Sequence, residues 1–419
     1  MISADIVVIG AGPAGLAAAA TAAQSGSSVL LVDERSAPGG QIWRGTASRA
    51  AASWLARIEA QRVRTSFETA IVDVDAPHGM YGMRGTHPLR IEAGRAVVLA
   101  TGARELFLPF PGWTLPNVVG VGGAQALLKS GWNVRGRKAV VAGTGPLLLP
   151  VAAALARAGA RVEAVIEQAP RHAVARFAAN LWRTPRRLGE ALRYRLSFAR
   201  TPYITGSWVV HARGDGVVRE AVVTDGASER VIGCDILCTA YGLVPAVELP
   251  LLFGCALDRE RVVVDELQRT SVDGVFCAGE VAGIAGKDAA IVEGTIAGLA
   301  ATGRITEAKR LVRARSAYAD MAARMNEAFA LRPELKQVAG DDTVVCRCED
   351  VSLGMIVGCS ALREARVLAR VGMGPCQGRV CGPALRQIFG WEREGVRPPL
   401  LPVTIEALAT FGDTATEQT

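Results

Sequence analysis

A β-branched run, Asp5-Ile-Val-Val-Ile-Gly10, leads straight into Gly10-Ala-Gly12-Pro-Ala-Gly15 and then into an Ala-rich stretch from Leu16. A second apolar run, Val29-Leu-Leu-Val32, ends in Asp33-Glu34, with Asp33 lying 18 positions after the last glycine. A glycine triplet alone says little. Strand before it, helix after it and an acid at the end of the next strand together predict a βαβ unit that holds a dinucleotide. Gly10 then makes the tight turn, Gly12 lets the backbone approach a pyrophosphate, and Gly15 permits close helix–strand packing. Pro13 and Ala14 complete the loop, and the helix N-terminus faces the phosphate charge. Asp33 or Glu34 is expected to hold the adenosine ribose hydroxyls.

A looser copy of the pattern begins at Lys138. The strand Ala139-Val-Val-Ala142 enters Gly143-Thr-Gly145-Pro-Leu-Leu148, a helix is predicted from Pro150 to Ala158, and the strand Val162-Glu-Ala-Val-Ile166 ends at Glu167. Leu148 stands where the third glycine belongs, so the fold signal survives while the ligand signal is impaired. The reading leaves three outcomes open: productive NAD(P) binding, an adenine nucleotide (ATP or NAD(P)) in a structural role, or no ligand. Val97-Val-Leu-Ala100-Thr101-Gly102 and its echo Ile236-Leu-Cys-Thr239-Ala-Tyr-Gly242 read as crossing points between domains. Gly274-Val-Phe-Cys-Ala278-Gly279-Glu280 is a strand ending in an acid, before a helix expected from about Ala289.

With 419 residues, 50% hydrophobic, 21% charged and 46 glycines, the chain is globular rather than disordered, collagenous or coiled-coil. No apolar run reaches the 18 or more residues of a membrane span, and the N-terminus lacks the basic start of a signal peptide. A cytoplasmic protein is expected, with peripheral attachment to the inner membrane left open. The formal net charge is +7, and arginines cluster between Arg171 and Arg200. Without a recognition motif this reads as a solvated or partner-facing surface, not a nucleic-acid site.

Nine cysteines fall into two groups. Cys234, Cys238, Cys255 and Cys277 lie in apolar text and read as core thiols. Cys346, Cys348, Cys359, Cys376 and Cys381 cluster near the C-terminus. Cys346-x-Cys348 and Cys376-x4-Cys381 put four thiolates on two short loops, a metal-ligand set in a chain without a secretion signal. The spacing suits a [2Fe–2S] cluster better than zinc, whose knots favour Cys-x2-Cys; free thiols are the remaining alternative. Cys359 stands outside both pairs. No Cys-x-x-Cys or Cys-x4-Cys pair precedes Cys346, and His78, His87, His172 and His211 sit in polar or irregular text. Dithiol chemistry at a flavin is therefore not expected, and no catalytic residue is assigned.

Gly10 to Gly15 with Asp33, then Gly39-Gly40-Gln41, Ala100-Thr101-Gly102 and Gly274 to Glu280 resemble the two-dinucleotide-domain flavoproteins, which include glutathione and thioredoxin reductases. The resemblance covers about residues 1–305. It implies an α/β fold with two Rossmann-like domains and FAD on Gly10, Gly12, Gly15 and Asp33, with Gly40 and Gln41 beside the flavin. It sets Glu280 at the ribityl chain, where the family usually has Asp, with Gly279 before it. The Cys segment resembles the [2Fe–2S] domain of bacterioferritin-associated ferredoxin, with a wider second pair. Over the whole chain, Gly39-Gly-Gln-Ile-Trp-Arg44, Ala142 to Leu149 and Gly372 to Cys381 are similar to the α subunit of heteromeric bacterial amine dehydrogenases. These include opine oxidases, hydrogen cyanide synthase and D-hydroxyproline or proline dehydrogenase complexes.

That likeness implies a hetero-oligomer in which a partner β subunit with its own FAD oxidises the amine, often with a small iron–sulfur γ subunit. The expected division is an FAD domain over 1–105 and 246–305, a second nucleotide domain over 106–245, a helical linker over 306–340, and a small, mainly helical iron–sulfur domain over 341–419. Two rivals stay open: a self-sufficient NAD(P)H-dependent flavin reductase, and a scaffold whose nucleotides are structural.

Overall fold

A computed structural model describes residues 1–44 and 49–416. The chain forms two compact units: one comprises Met1–Arg104, Val244–Ala322 and the segment from Gly395, the other Glu105–Leu243 and Ala323–Glu394.

The first unit is built on a parallel sheet in the order Arg64–Ser66, Val29–Val32, Ile2–Ile9, His87–Leu99, with Val275–Cys277 beside the last. Ile6, Val7 and Val8 are fully buried, as a central strand covered on both faces requires. His87–Leu99 joins the parallel and antiparallel halves of one seven-stranded sheet. Its first half pairs antiparallel with Gly79–Arg84, and its second half runs parallel beside Ile2–Ile9. On one face of the sheet lie the helices Pro13–Ala23 and Lys287–Ala301. They touch backbone to backbone. A Cβ on Gly294 would lie 2.1 Å from the Ala14 carbonyl oxygen, and one on Gly298 would lie 2.5 Å from that of Ala18.

The second unit repeats the plan. Tyr203–Thr205, Arg161–Glu167, Lys138–Gly143, Ile236–Ala240 and Val118–Gly120 form a five-stranded parallel sheet, with an antiparallel meander from Trp208 to Gly233. Its glycine-loop helix runs from Leu148 to Arg157. The arginine-rich segment folds as the helices Arg171–Asn180 and Pro185–Ser197, and Leu188, Leu192 and Leu196 are exposed along the latter. None of the described helices is long and apolar enough to cross a membrane.

The two units divide the chain at other points than the expected domain limits. Residues 341–394 fall within the second unit, where the Trp113 indole N–H donates to the Val344 carbonyl at 2.6 Å. The segment after Gly395 is not part of the cysteine-bearing module at all. It returns to the first unit, where the Leu400 N–H donates to the Val72 carbonyl at 2.7 Å. Ala407 is buried there with Val72, Tyr81 and Met83, and the Phe411 ring lies 4.9 Å from Tyr81. This segment is short, so its apolar side chains find burial only on an existing sheet face. Within the span expected as a helical linker over 306–340, one long helix runs from Ile305 to Ala328.

The helix pair gives a first expected outcome. Gly294→Ala drives a methyl into the Ala14 backbone, so thermal and denaturant unfolding should show a loss of about 1–3 kcal/mol. An unchanged midpoint would show that the helices are free to separate.

Candidate functional site

The loop after Ile9 is held by contacts only glycine permits. Gly10 has φ +103°, and a Cβ there would lie 2.3 Å from the Ala100 carbonyl oxygen. A Cβ on Gly15 would sit 1.7 Å from the Gly10 carbonyl oxygen. Gly12 is different. Its conformation is ordinary, with φ −74°, and the nearest atom to a Cβ is the Gly40 Cα at 4.0 Å. Gly10 and Gly15 are therefore demanded by the fold, whereas Gly12 leaves a half-exposed cradle at the helix N-terminus, which begins at Pro13. A dinucleotide pyrophosphate fits that cradle, since the missing side chain is what lets a phosphate reach the backbone.

Two further segments close on this loop. The Gly39 N–H donates to the Ala11 carbonyl at 2.8 Å, and Gly40, at φ +57°, crosses over Gly12. Gln41 and Arg44 are exposed beyond it, while Trp43 is buried. Asp33 is buried, its Oδ2 accepting the Ala11 N–H at 2.6 Å and its Oδ1 the Arg35 N–H at 2.8 Å. Its observed work is to brace the glycine loop from below; Glu34 is exposed beside it. At the crossing point, the Ala100 N–H donates to Ile9 and the Thr101 hydroxyl to the Ala246 carbonyl at 2.7 Å. The Gly102 carbonyl accepts the Ala246 N–H, so this turn ties the strand end to the chain's return.

Gly279, at φ +84°, packs over Ala14; a Cβ there would lie 2.8 Å from the Ala14 methyl. This brings Glu280 to the same edge of the sheet, half-buried, with burial pushing its carboxyl pKa upward. Glu293 carries no motif signature, yet it joins the site. It is buried on the helix Lys287–Ala301, and its Oε2 accepts the Gly279 N–H at 2.9 Å. Burial raises its pKa to about 7, against the opposing pull of the Gly279 N–H and of Arg315, 3.8 Å away. The one available signal is a lone acid inside Ala290-Ile-Val-Glu293-Gly294, where nothing else is charged.

The second copy uses the same brace. Gly143, at φ +137°, lies against Ala240, where a Cβ would be 1.9 Å from the carbonyl oxygen. Glu167 is fully buried, accepting the Gly145 N–H at 2.7 Å and the Ala169 N–H at 2.8 Å, and burial raises its pKa to about 7. Both its oxygens therefore accept backbone N–H groups of the protein, as those of Asp33 do in the first unit. Gly145 is buried, with the Phe329 ring 3.8 Å from where its Cβ would be.

The four cysteines of the two pairs are brought together. Cys346 ends the strand Val344–Cys346, and Cys381 opens the helix Cys381–Phe389. Side-chain contacts link Cys348 to Cys376, Cys376 to Cys381, and Cys381 to Cys346. Backbone N–H groups turn toward the sulfurs: Gly372 donates to Cys346 Sγ at 3.4 Å, Gly378 and Val380 to Cys376, and Cys376 to Cys348. The neighbouring Cys381 thiol and these donors hold the Cys376 thiol well below its usual pKa, and the Cys381 thiol is pushed well above. Glycine permits the approach, since a Cβ on Gly374 would lie 2.4 Å from the Cys348 Cβ. Among the described residues, no three His, Cys, Asp or Glu side chains surround one point as ligands of a single ion. Cys359 is half-buried, and Cys234, Cys238, Cys255 and Cys277 are buried with raised pKa values, as core thiols should be.

Two outcomes follow from the first loop. Gly12→Val should leave the fold intact and strip the cofactor, because the new side chain fills the cradle and its Cβ meets no protein atom closer than 4.0 Å. Full flavin absorbance in the folded variant would refute the cradle. Glu293 binds more protons folded than unfolded, so its charge opposes folding increasingly as pH rises from about 4.5 to about 7. Glu293→Gln removes that penalty. Urea titrations should show the variant gaining on the wild type across this window, with a constant difference above it.

A family model described as pyridine nucleotide-disulphide oxidoreductase matches residues 4–312. An opine oxidase chain of Rhizobium meliloti (strain 1021), itself named as one subunit of that enzyme, is 33% identical, over 97% of this chain and 98% of the relative. Hydrogen cyanide synthase subunit HcnB of Pseudomonas aeruginosa PAO1 is 30% identical, over 98% of this chain and 99% of the relative. The crystal structure of L-proline dehydrogenase from P. horikoshii superposes with a TM-score of 0.70 at 20% identity, over 97% of this chain and 79% of that one. These bear out the expected two-domain dinucleotide-binding α/β fold and the resemblance that pointed to it. The chain belongs to the pyridine nucleotide-disulphide oxidoreductase family, as a flavin-dependent oxidoreductase subunit of the kind found in opine oxidase and hydrogen cyanide synthase.

Proposed function

We propose that this chain is the electron-handling subunit of a heteromeric dehydrogenase. The complex oxidises an amino acid, imino acid or opine at a C–N bond, and the substrate site lies on a partner subunit with its own FAD. The observation that carries this reading is the pairing, in one chain, of the open Gly12 cradle with four cysteines linked in a row by side-chain contacts. The end-to-end match to proteins themselves named as subunits supports a hetero-oligomer; the flavin-bearing β subunit and a small iron–sulfur γ subunit are what the reading adds.

Within this reading, Gly10, Gly12 and Gly15 receive the FAD pyrophosphate, and Asp33 keeps their loop rigid. Glu280 stands at the ribityl side, set by Gly279 and braced from beneath by Glu293. Cys346, Cys348, Cys376 and Cys381 hold a [2Fe–2S] cluster, supported by the row of contacts that links them and the N–H groups turned toward the sulfurs. Such donors stabilise anionic sulfur and tune a cluster's potential. Bound FAD supplies two-electron acceptance with one-electron release, and a cluster supplies single-electron carriage. The chain's own work is to hold these groups and to set their polarity.

Co-purification from the native host tests the whole reading. The chain should emerge with a second flavoprotein, and the complex should reduce an artificial acceptor when given an amino or imino acid. A lone chain that is itself fully active on such a substrate would overturn it. The metal site has its own test by iron and sulfide assay with EPR of the reduced protein. Anaerobically prepared chain should carry two irons and two sulfides (the content of one such cluster). Cys381→Ser should lose them while keeping FAD, and Cys359→Ser should keep both. Stoichiometric zinc, or iron lost with Cys359 but not with Cys381, would show the ligands to be wrong.

A further inference from the structure

The family's name implies a pyridine nucleotide, and the second unit has the βαβ frame for one. The residues there do not fit it. A dinucleotide on such a frame is met at two points, the second glycine of the loop and the end of the following strand. Both points are occupied by the chain itself, through residues 329–332 of the same unit.

At the glycine, the Phe329 ring lies 3.8 Å from the position of a Gly145 Cβ, and the Thr144 hydroxyl donates to the Phe329 carbonyl at 3.1 Å. Phe177 holds the ring from another side, edge-on at 5.1 Å. At the strand end, the fully buried Gln168 follows Glu167. Its amide nitrogen donates to the Ala330 carbonyl at 3.0 Å and to Thr144 Oγ1 at 2.8 Å. Its amide oxygen accepts the Arg332 N–H at 3.1 Å. The Arg332 guanidinium then lies over the Trp208 ring at 4.4 Å.

The first unit is the internal control. There the second glycine, Gly12, is half-exposed, with only the Gly40 Cα at 4.0 Å from the position of a Cβ and no aromatic ring before it, and the helix starts at once with Pro13. Here Gly145 is buried, and the helix starts only at the fully buried Leu148. The helix N-terminus that would face a pyrophosphate has drawn back, and an aromatic ring stands before the loop.

We propose that Phe329–Arg332 is an intrachain occupant of the second dinucleotide site. It excludes NADH and NADPH and turns the frame into a socket that anchors the cysteine-bearing segment following it. Backbone C=O and N–H groups of this strap satisfy Gln168 at both ends of its amide, so no polar edge is left for a ribose. The proposal does not depend on which amine the complex oxidises. It does bear on direction, since electrons then enter the chain from a partner and not from a nicotinamide.

The test uses the full-length, flavin-loaded chain. Calorimetric titration with NADH and with ADP-ribose should give no saturable binding, and anaerobic NADH should leave the flavin absorbance unbleached. Hydrogen exchange followed by mass spectrometry should show the peptide containing Arg332 protected without any nucleotide. Phe329→Gly should gain saturable ADP-ribose binding once its fold is verified by circular dichroism. Saturable binding of NADH or rapid bleaching in the wild type would overturn the proposal. So would fast exchange of the strap, or a folded Phe329→Gly that gains nothing.

Discussion

Three pieces of backbone meet at Gly10. Its Cα lies against the Ala100 carbonyl, and Gly15 lies against its own carbonyl. No side chain is tolerated at either place, so strand, helix and crossing point are locked at one distance. The functional edge of the first unit depends on that lock. Asp33 then fixes the loop through the Ala11 N–H, Gly39 ties a second turn to the same residue, and Gly279 brings Glu280 over Ala14. The Gly294 and Gly298 contacts with the first helix extend the same logic to the second layer. Close backbone approach, rather than bulky packing, positions this site, and that explains the density of Ala and Gly around it.

A buried carboxylate braces each glycine loop, Asp33 in the first unit and Glu167 in the second. The device is shared, and the outcome is not. In one unit the loop opens onto a cradle, in the other onto the chain's own Phe329. The cost of burying an acid is visible in the raised pKa of Glu167, offset by two backbone N–H groups and the Tyr203 hydroxyl. A carboxylate held in this way is a structural part first. Its identity in a motif does not establish contact with a ligand.

The C-terminal third illustrates how short segments borrow a core. Within the second unit, residues 341–394 have a small apolar cluster of their own, including Val345, Ile356, Leu362 and Leu385, and are tied to the earlier part of that unit through Trp113. The segment after Gly395 instead packs Ala407 and Phe411 against Val72, Tyr81 and Met83 of the first unit. Neither choice is written in the cysteine spacing, which places four thiols but says nothing of what their module packs against.

The two βαβ frames, the glycines of each turn, the acids at the strand ends and the four cysteines of the two pairs are legible in the order of amino acids. These are local signals, set by backbone conformation and by spacings within one loop. What each is used for follows only from the folded chain. Glu293 braces Gly279 because two helices meet at glycines, a contact between residues 14 and 294 that no local pattern encodes. The closure of the second site rests on Gln168 meeting Ala330 and Arg332 across more than 160 positions of chain. Such pairings have no sequence period, because they are selected by the shape of a finished surface and not by the conformation of the residues that make them.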